Sequence, residues 1–479
     1  MRVAHTGPRT RLILMDAGPR TSPVTSSAAS CPPPAPRIMR SPRSPAHSGG
    51  TGSPARMPTA LDAPAGGRPA APLHRRGHRT PVRPRPPRPT RPPSHAARSA
   101  TRPAARRETP MSTTATAAVL PATGQPFALQ EVTLDDPRPD EVLVRIVAAG
   151  VCGTDMGVQA GHIPFPLPGV LGHEGAGVVE AVGSSVTTAA PGDKVLLTFT
   201  SCGTCPNCLA GHPAYCETFL PRNLVGGARP DGSSPVHGAD GDLNAHFFAQ
   251  SSFATYALAE ERNVTVVSQD ADLAVLAPLG CGVQTGAGAV FNVLRPTPGS
   301  SIAVLGAGAV GLSAVMAAAL TGARRIIVAD LVDSRLELAR ELGATHVVNS
   351  GETDLETALK DLTGGRGVEY AAETTGLARL LEAGIRALAP MGTIGVIGAP
   401  AAGTTAAFDV NFLLNGRGIV GITEGDSVPQ LFLPALVELV LQGRMPLEKL
   451  IRHYPFDAIN DATAAARSGE VLKAVLRVG

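Results

Sequence analysis

The first 110 of the 479 residues contain no Phe, Tyr or Trp, no Lys and only three acidic residues. They are built from Pro, Arg, Ala, Ser and Gly. Such a segment cannot bury enough apolar surface to offset the entropy of ordering it, which excludes a packed domain there. Other features are missing as well. No charged start leads through an apolar middle to a small-residue cleavage site, so a secretory signal is not expected. The run from Ser301 to Ala323 is uncharged and apolar for long enough to imitate a membrane span. Its glycines fall where a strand-turn-helix unit needs them, and the membrane reading is rejected. Cysteine is scarce: of seven, only Cys31 lies outside two groups with metal-ligand character. That pattern argues against a disulfide framework and makes a reducing cytoplasm the default expectation.

The net charge of +3 conceals an asymmetry. Residues 1–110 carry 20 Arg and three acids, hence +17, while the remainder has 22 basic and 36 acidic residues, hence −14. The part expected to fold is therefore acidic and has no nucleic-acid footprint. For the basic segment three readings compete: a disordered tail, a targeting segment, or an upstream frame translated from a start set too early. An Arg-rich, acid-poor composition suits an organellar transit peptide, but so much proline opposes the amphipathic helix that one needs. As a phosphate-binding tail the segment would also support a rival reading of the chain as a nucleic-acid binder.

From Ala118 to Val147 short apolar runs alternate with turns such as DDPRPD, the pattern of a Gly-rich, mostly β domain. The stretch Ala148 to Gly177 then offers a thiolate at Cys152, an imidazole at His173 and a carboxylate at Glu174, and Cys281 follows much later. Two thiolates and one imidazole suit zinc, and three protein ligands leave a fourth position open, the mark of a catalytic site. Between them SCGTCPNCLAGHPAYC sets Cys202, Cys205, Cys208 and Cys216 at C-x2-C-x2-C-x7-C. Four such thiolates close around one tetrahedral zinc with no open position, a structural site. The alternative for these four is redox or disulfide chemistry, for which the close clustering is less suited.

After Cys281 the pattern alternates strand and helix, which predicts a doubly wound parallel sheet. Gly306, Gly308 and Gly311 form G-x-G-x-x-G after a predicted strand and at the start of a predicted helix. Asp330 ends the next strand. In that context the glycines admit a pyrophosphate to a helix N-terminus, and Asp330 binds ribose hydroxyls and repels a 2′-phosphate, favouring NAD.

Taken together, GVCGTD, GHEGAGVVEAVG, the four-cysteine stretch and VLGAGAVG resemble the zinc-dependent medium-chain alcohol dehydrogenases. Within that family HFFAQSSFATYALAEERNV, APLGCGVQTGAGAV and GDSVPQLFLP are similar to the benzyl-alcohol (aryl-alcohol) dehydrogenases. The likeness runs from about Met111 to the C-terminus and covers none of the first 110 residues. Since it starts at a methionine, the misplaced start is the favoured reading of the extension, with a disordered tail second. The resemblance implies an α/β chain: a GroES-like, mostly β catalytic domain over 111–282, a Rossmann NAD-binding domain over 283–422, and a return to the catalytic domain over 423–479.

It also implies the reaction, oxidation of a benzyl-type primary alcohol to an aldehyde by hydride transfer to the nicotinamide while zinc holds the alcohol oxygen. By the same likeness Thr154 is the hydroxyl that takes the substrate proton, Asp155 orients a metal ligand, and Glu174 is an outer or transient ligand. Val310 in the glycine turn, Arg335 near the ribose, Thr285 beside the nicotinamide and Lys473 at the pyrophosphate are the further coenzyme residues so implied. Gly157 stands where relatives often carry a relay histidine, with His162 as a substitute. Rival enzymatic readings are aliphatic, polyol or glutathione-linked alcohols; a third is a zinc-stabilised protein that binds NAD without turnover. A homo-oligomer, dimer or tetramer, is expected by resemblance. Apolar subgroup-like stretches over 247–261 and 425–434, with Phe199 as a wall, point to an aromatic substrate. Protein begun at Met111 should match the full chain in activity and melting temperature. Lost solubility or activity in that truncation would give residues 1–110 a structural role.

Overall fold

The computed structural model describes residues 112–479, all of which fall in one compact unit. The readings of residues 1–110 as a disordered tail, a targeting segment or a nucleic-acid arm lie outside the described residues.

Two mostly antiparallel sheets build the first part. One has five strands, in the order Gly169–Val170, Thr113–Leu120, Ala128–Leu134, Val236–Gly238 and Gly241–Asp242. The other is organised on the long strand Glu141–Gly150, which pairs with Gly175–Val182 and Tyr256–Glu260. The final strand, Lys473–Arg477, also joins it, antiparallel, with Val475 opposite Gly150. The chain therefore ends beside the turn that carries Cys152.

The second part is a six-stranded parallel sheet in the order His346–Asn349, Arg325–Asp330, Ser301–Leu305, Val368–Glu373, Leu388–Val396 and Gly418–Gly421. Counted along the chain this is 3-2-1-4-5-6, the doubly wound order expected from the alternating pattern. Its strands read as continuous apolar runs because both faces are covered. Ile302, Val304, Ile326 and Val328 point into one core, with Leu312, Val315 and Leu336 from the helices Ala309–Ala319 and Asp333–Glu341. The alternate residues Ala303, Leu305, Ile327 and Ala329 face the opposite core, with Leu355, Leu359 and Leu380. Period-2 alternation along each strand separates the two sets.

The first of these cores does not stop at the parallel sheet. It continues through Leu276, Leu279 and Val283 to Ala148, Ala176 and Leu196 of the antiparallel sheet. Apolar burial therefore fixes the two parts against each other where Cys281 enters. Among the described residues no single helix is long and apolar enough to cross a membrane.

Candidate active site

Three distant segments bring four donors together. Cys152 caps the short helix Gly153–Gln159 at the end of the long strand. Asp155, in the first turn of that helix, accepts from the Cys152 amide at 2.9 Å and from the Gly172 amide at 3.1 Å. Its Oδ1 also lies 3.0 Å from His173 Nδ1. One buried carboxylate thus caps a helix, pins the glycine turn before His173 and orients the imidazole. Cys281 ends the 3-10 turn Ala277–Gly280. The ligand atoms of Cys152, His173, Glu174 and Cys281 all lie within 4.8 Å of one another.

His173 Nε2 is buried without a hydrogen-bond partner. A buried polar atom left unpaired costs about 1–3 kcal/mol, which a cation among the donors relieves. A hydrogen bond from the Cys281 thiol, with Lys473 and His173 against the opposing burial, holds Cys152 well below its ordinary value. The same bond, together with burial, pushes Cys281 well up. Burial works against a charged His173, but Asp155 and Cys152 outweigh it and raise its proton affinity. Such a soft, anionic N/S donor set with one orphaned nitrogen fits zinc.

Glu174 is fully buried, and both of its oxygens lie 2.9 Å from Lys473 Nζ. Burial lowers the proton affinity of that ammonium, but Glu174 outweighs it and holds Lys473 above its ordinary value. Lys473, expected at the pyrophosphate, also donates to the Val151 carbonyl at 3.2 Å. The structure thus brings it to the donor cluster. Arg335, expected near the ribose, bonds the Gly469 carbonyl at 3.1 Å. Thr154 Oγ1 lies 3.8 Å from Cys152 Sγ. His162 is exposed on the loop after the Cys152 helix, and any side chain at Gly157 would press on Ile163.

The four-cysteine stretch also converges, its sulfurs within 4.8 Å of one another. Backbone amides of Thr204 and Cys205 point at Cys202 Sγ (3.5 and 3.3 Å), and that of Cys202 at Cys216 Sγ (3.3 Å). The Thr204 amide foremost lowers Cys202 to about 5, whereas burial and then Cys205 raise Cys208 to about 12. Amides aimed at sulfur favour thiolates, the form that ligates metal. The stretch is fastened to the parallel-sheet part by His212 Nδ1 on Asp426 (2.8 Å) and the Tyr215 hydroxyl on the Gly421 carbonyl (3.2 Å).

In the glycine turn the three glycines serve different ends. Gly306 has φ +101, which only glycine adopts freely, and a Cβ at Gly311 would collide with the Gly306 carbonyl. At Gly308 a Cβ would meet nothing within 4 Å, so the missing side chain leaves the mouth of the turn open at the N-cap of the helix Ala309–Ala319. This is a cradle for a phosphate. Asp330 accepts from the Ala307 amide at 2.6 Å and so joins the turn to the end of its own strand. Thr285 lies on the helix Gly282–Gly288, which crosses the Val310 turn at glycine distance: a Cβ on Gly286 would strike the Val310 carbonyl.

Sequence reasoning missed Glu424. Its carboxylate lies 3.8 Å from Cys281 Sγ and 3.4 Å from Thr285 Oγ1, and burial foremost pushes it up to about 7. Nothing in the local stretch ITEGDS signals this. The expected stretch from 247 and Phe199 belong to a continuous aromatic cluster, Phe165, Phe247, Phe248, Phe219 and Phe199, that ends on the His173 ring; Phe165, Phe219 and the contact with His173 were missed.

Comparison with known proteins agrees with this geometry. Residues 138–269 match the alcohol dehydrogenase GroES-like domain, and residues 309–441 match the zinc-binding dehydrogenase domain. The chain is 45% identical over 364 residues to a geraniol dehydrogenase of Castellaniella defragrans, covering 76% of this chain and 97% of the relative. It resembles the crystal structure of an alcohol dehydrogenase zinc-binding domain protein from Burkholderia ambifaria, with 55% identity, TM-score 0.75, and 77% and 100% of the two chains covered. The benzyl alcohol dehydrogenase of Acinetobacter calcoaceticus is similar too, with 48% identity, TM-score 0.74, and the same 77% and 100%. A likeness that spans nearly the whole of each relative, in a fold that gathers both donor clusters, settles the family. The chain belongs to the zinc-dependent medium-chain alcohol dehydrogenases.

Proposed function

We propose that the protein is an NAD-dependent alcohol dehydrogenase that oxidises benzyl-type primary alcohols to aldehydes. The observation that carries the substrate is the aromatic cluster. In a chain with only 3% aromatic residues, five phenylalanines form one contiguous cluster ending on His173. A second reading, an acyclic allylic alcohol, has the geraniol dehydrogenase behind it. Benzylic and allylic alcohols share an sp² carbon next to the reacting one, so an apolar wall serves both.

Cys152, His173 and Cys281 would hold a catalytic zinc, and Cys202, Cys205, Cys208 and Cys216 a structural one. Bound in an open site, zinc supplies Lewis-acid polarisation of the alcohol oxygen. Asp155 fixes the tautomer of His173 by holding Nδ1, so that Nε2 faces the donors. Thr154 would take the alcohol proton, and a nicotinamide bound beside the site would accept the hydride from the substrate carbon. Glu174 is neutralised by Lys473 and stays an outer group. The open face of Gly308 would admit the pyrophosphate and Asp330 would receive the ribose hydroxyls, with Arg335, Val310 and Thr285 as further coenzyme residues.

We further propose domain boundaries near 282 and 422 and a cytoplasmic, reducing setting, supported by the six cysteines of the described residues, all unpaired and gathered in two clusters. A homo-oligomer is supported by the free edge of Gly418–Gly421, where Ile419 is exposed.

Three measurements test this reading. Cys152→Ser or Cys281→Ser should leave one zinc per chain instead of two and lower activity by more than about a hundredfold, since even outer partners are worth ~10–100-fold. Their melting temperatures should stay near wild type, whereas Cys205→Ser should melt several degrees lower. Full turnover in Cys152→Ser would end the open-site assignment. Asp330→Ala should weaken NAD use and raise the share of NADP; a wild type that already prefers NADP contradicts the coenzyme assignment. In steady-state kinetics benzyl alcohol should exceed ethanol by up to about a hundredfold in kcat/KM. Burying ~100 Å² of phenyl surface is worth roughly 2.5 kcal/mol at ~25 cal/mol per Å², and the whole of it counts if expressed in the transition state. Equal efficiency with ethanol or sorbitol removes the aryl assignment, and a geraniol efficiency well above that of benzyl alcohol favours the allylic reading.

A further inference from the structure

His173 is gripped on more sides than hydrogen bonding requires. Asp155 holds Nδ1 at 3.0 Å. Phe247 meets the ring edge-on, at 5.4 Å between centroids and 83°, and Phe248 lies nearly flat on it, at 4.5 Å and 22°.

The backbone that delivers Phe248 is strained. Phe248 has φ 52 and ψ 32, and Ala249 and Ser251 follow at φ 51 and 47. Left-handed backbone is unfavourable for residues with a Cβ and persists only where the surroundings over-determine it. Here two wholly buried amides do so. Asn263 Nδ2 donates to the carbonyls of Phe248 (2.8 Å), Ala249 (3.1 Å) and Thr198 (3.2 Å). Gln250 Nε2 donates to the carbonyls of His173 (3.0 Å) and Thr198 (2.9 Å), while its Oε1 accepts from the Gly175 amide (3.1 Å). Asn263 Oδ1 has no partner, so this amide is turned wholly to donation.

We infer that Phe248 and Asn263 are positioning residues for the metal ligand His173. An imidazole held only at Nδ1 still rocks about that bond. A flat ring on its face and a second ring across it remove the freedom, and Nε2 stays aimed at Cys152 and Cys281. Asn263 acts one step back, by locking the left-handed backbone that lays Phe248 on the imidazole. An aliphatic side chain would fill the space without the planar face. This inference rests on the assignment of Cys152, His173 and Cys281 as zinc ligands.

The test compares wild type with Phe248→Leu, Phe248→Tyr and Asn263→Ser by zinc affinity in chelator competition and by the absorption spectrum of the cobalt(II)-loaded protein. Cys152→Ser supplies the baseline: the cobalt signal it lacks belongs to this site. Phe248→Leu should weaken zinc here by roughly tenfold, the lower end of what outer partners of a metal ligand are worth, and shift the cobalt bands. Phe248→Tyr keeps the ring face and should restore both, and Asn263→Ser should move the spectrum as Phe248→Leu does. Melting temperatures taken alongside separate lost packing from lost positioning. Wild-type zinc affinity and cobalt spectrum in Phe248→Leu, whatever its melting temperature, overturn the inference. Should that variant fail to fold, the same result in Asn263→Ser overturns it. A wild type that holds only one metal per chain removes the ligand assignment itself, and the inference with it.

Discussion

The structure depends on hiding charge at the place where its two parts meet. Asp155, His173, Glu174 and Lys473 are all nearly or fully buried, and Cys281 lies with them. An ionised group taken out of water costs several kcal/mol unless it is paired and hydrogen-bonded. Here almost every such group is matched: Glu174 with Lys473 and the Gly282 amide, Asp155 with His173 and two backbone amides. What stays unmatched is one nitrogen, His173 Nε2, among sulfurs and a carboxylate. The cluster is complete only with a cation.

That requirement explains much of the surrounding architecture. The donors enter from a strand end, a glycine turn and a 3-10 turn, and Lys473 comes from the last strand of the chain. The antiparallel pairing of Lys473–Arg477 with the long strand is what carries the ammonium to Glu174. The core running from Leu276 and Leu279 to Ala148 and Leu196 holds Cys281 in register with Cys152. A second layer of buried polar groups ties these elements by direct hydrogen bonds. Gln284 Nε2 donates to Thr198 Oγ1 at 2.6 Å, and Ser427 Oγ donates to Gln284 Oε1 at 2.9 Å. Through Glu424 the segment after the parallel sheet touches the donor cluster, while Asp426 of the same segment holds His212 beside the four cysteines. Both sulfur clusters are thus anchored on one short loop.

What the amino-acid order alone determined is whatever local backbone geometry can dictate. Four cysteines within fifteen residues must lie near one another, and G-x-G-x-x-G between an apolar strand and a small-residue helix must form a tight turn at a helix N-terminus. Cys152 and His173 were legible as donors by chemistry, and the parallel sheet by its alternating runs. Other roles depended on contacts between residues about 75 to 300 positions apart, whose meeting is set by strand pairing and core packing. Lys473 shows the difference. The sequence offered a basic residue near the end of the chain, but only the antiparallel pairing of its strand puts the ammonium on Glu174. Glu424, and the contact of Phe248 with His173, were silent for the same reason. A lone glutamate or phenylalanine has no periodicity to reveal it, and only the fold turns one toward Cys281 and lays the other on His173.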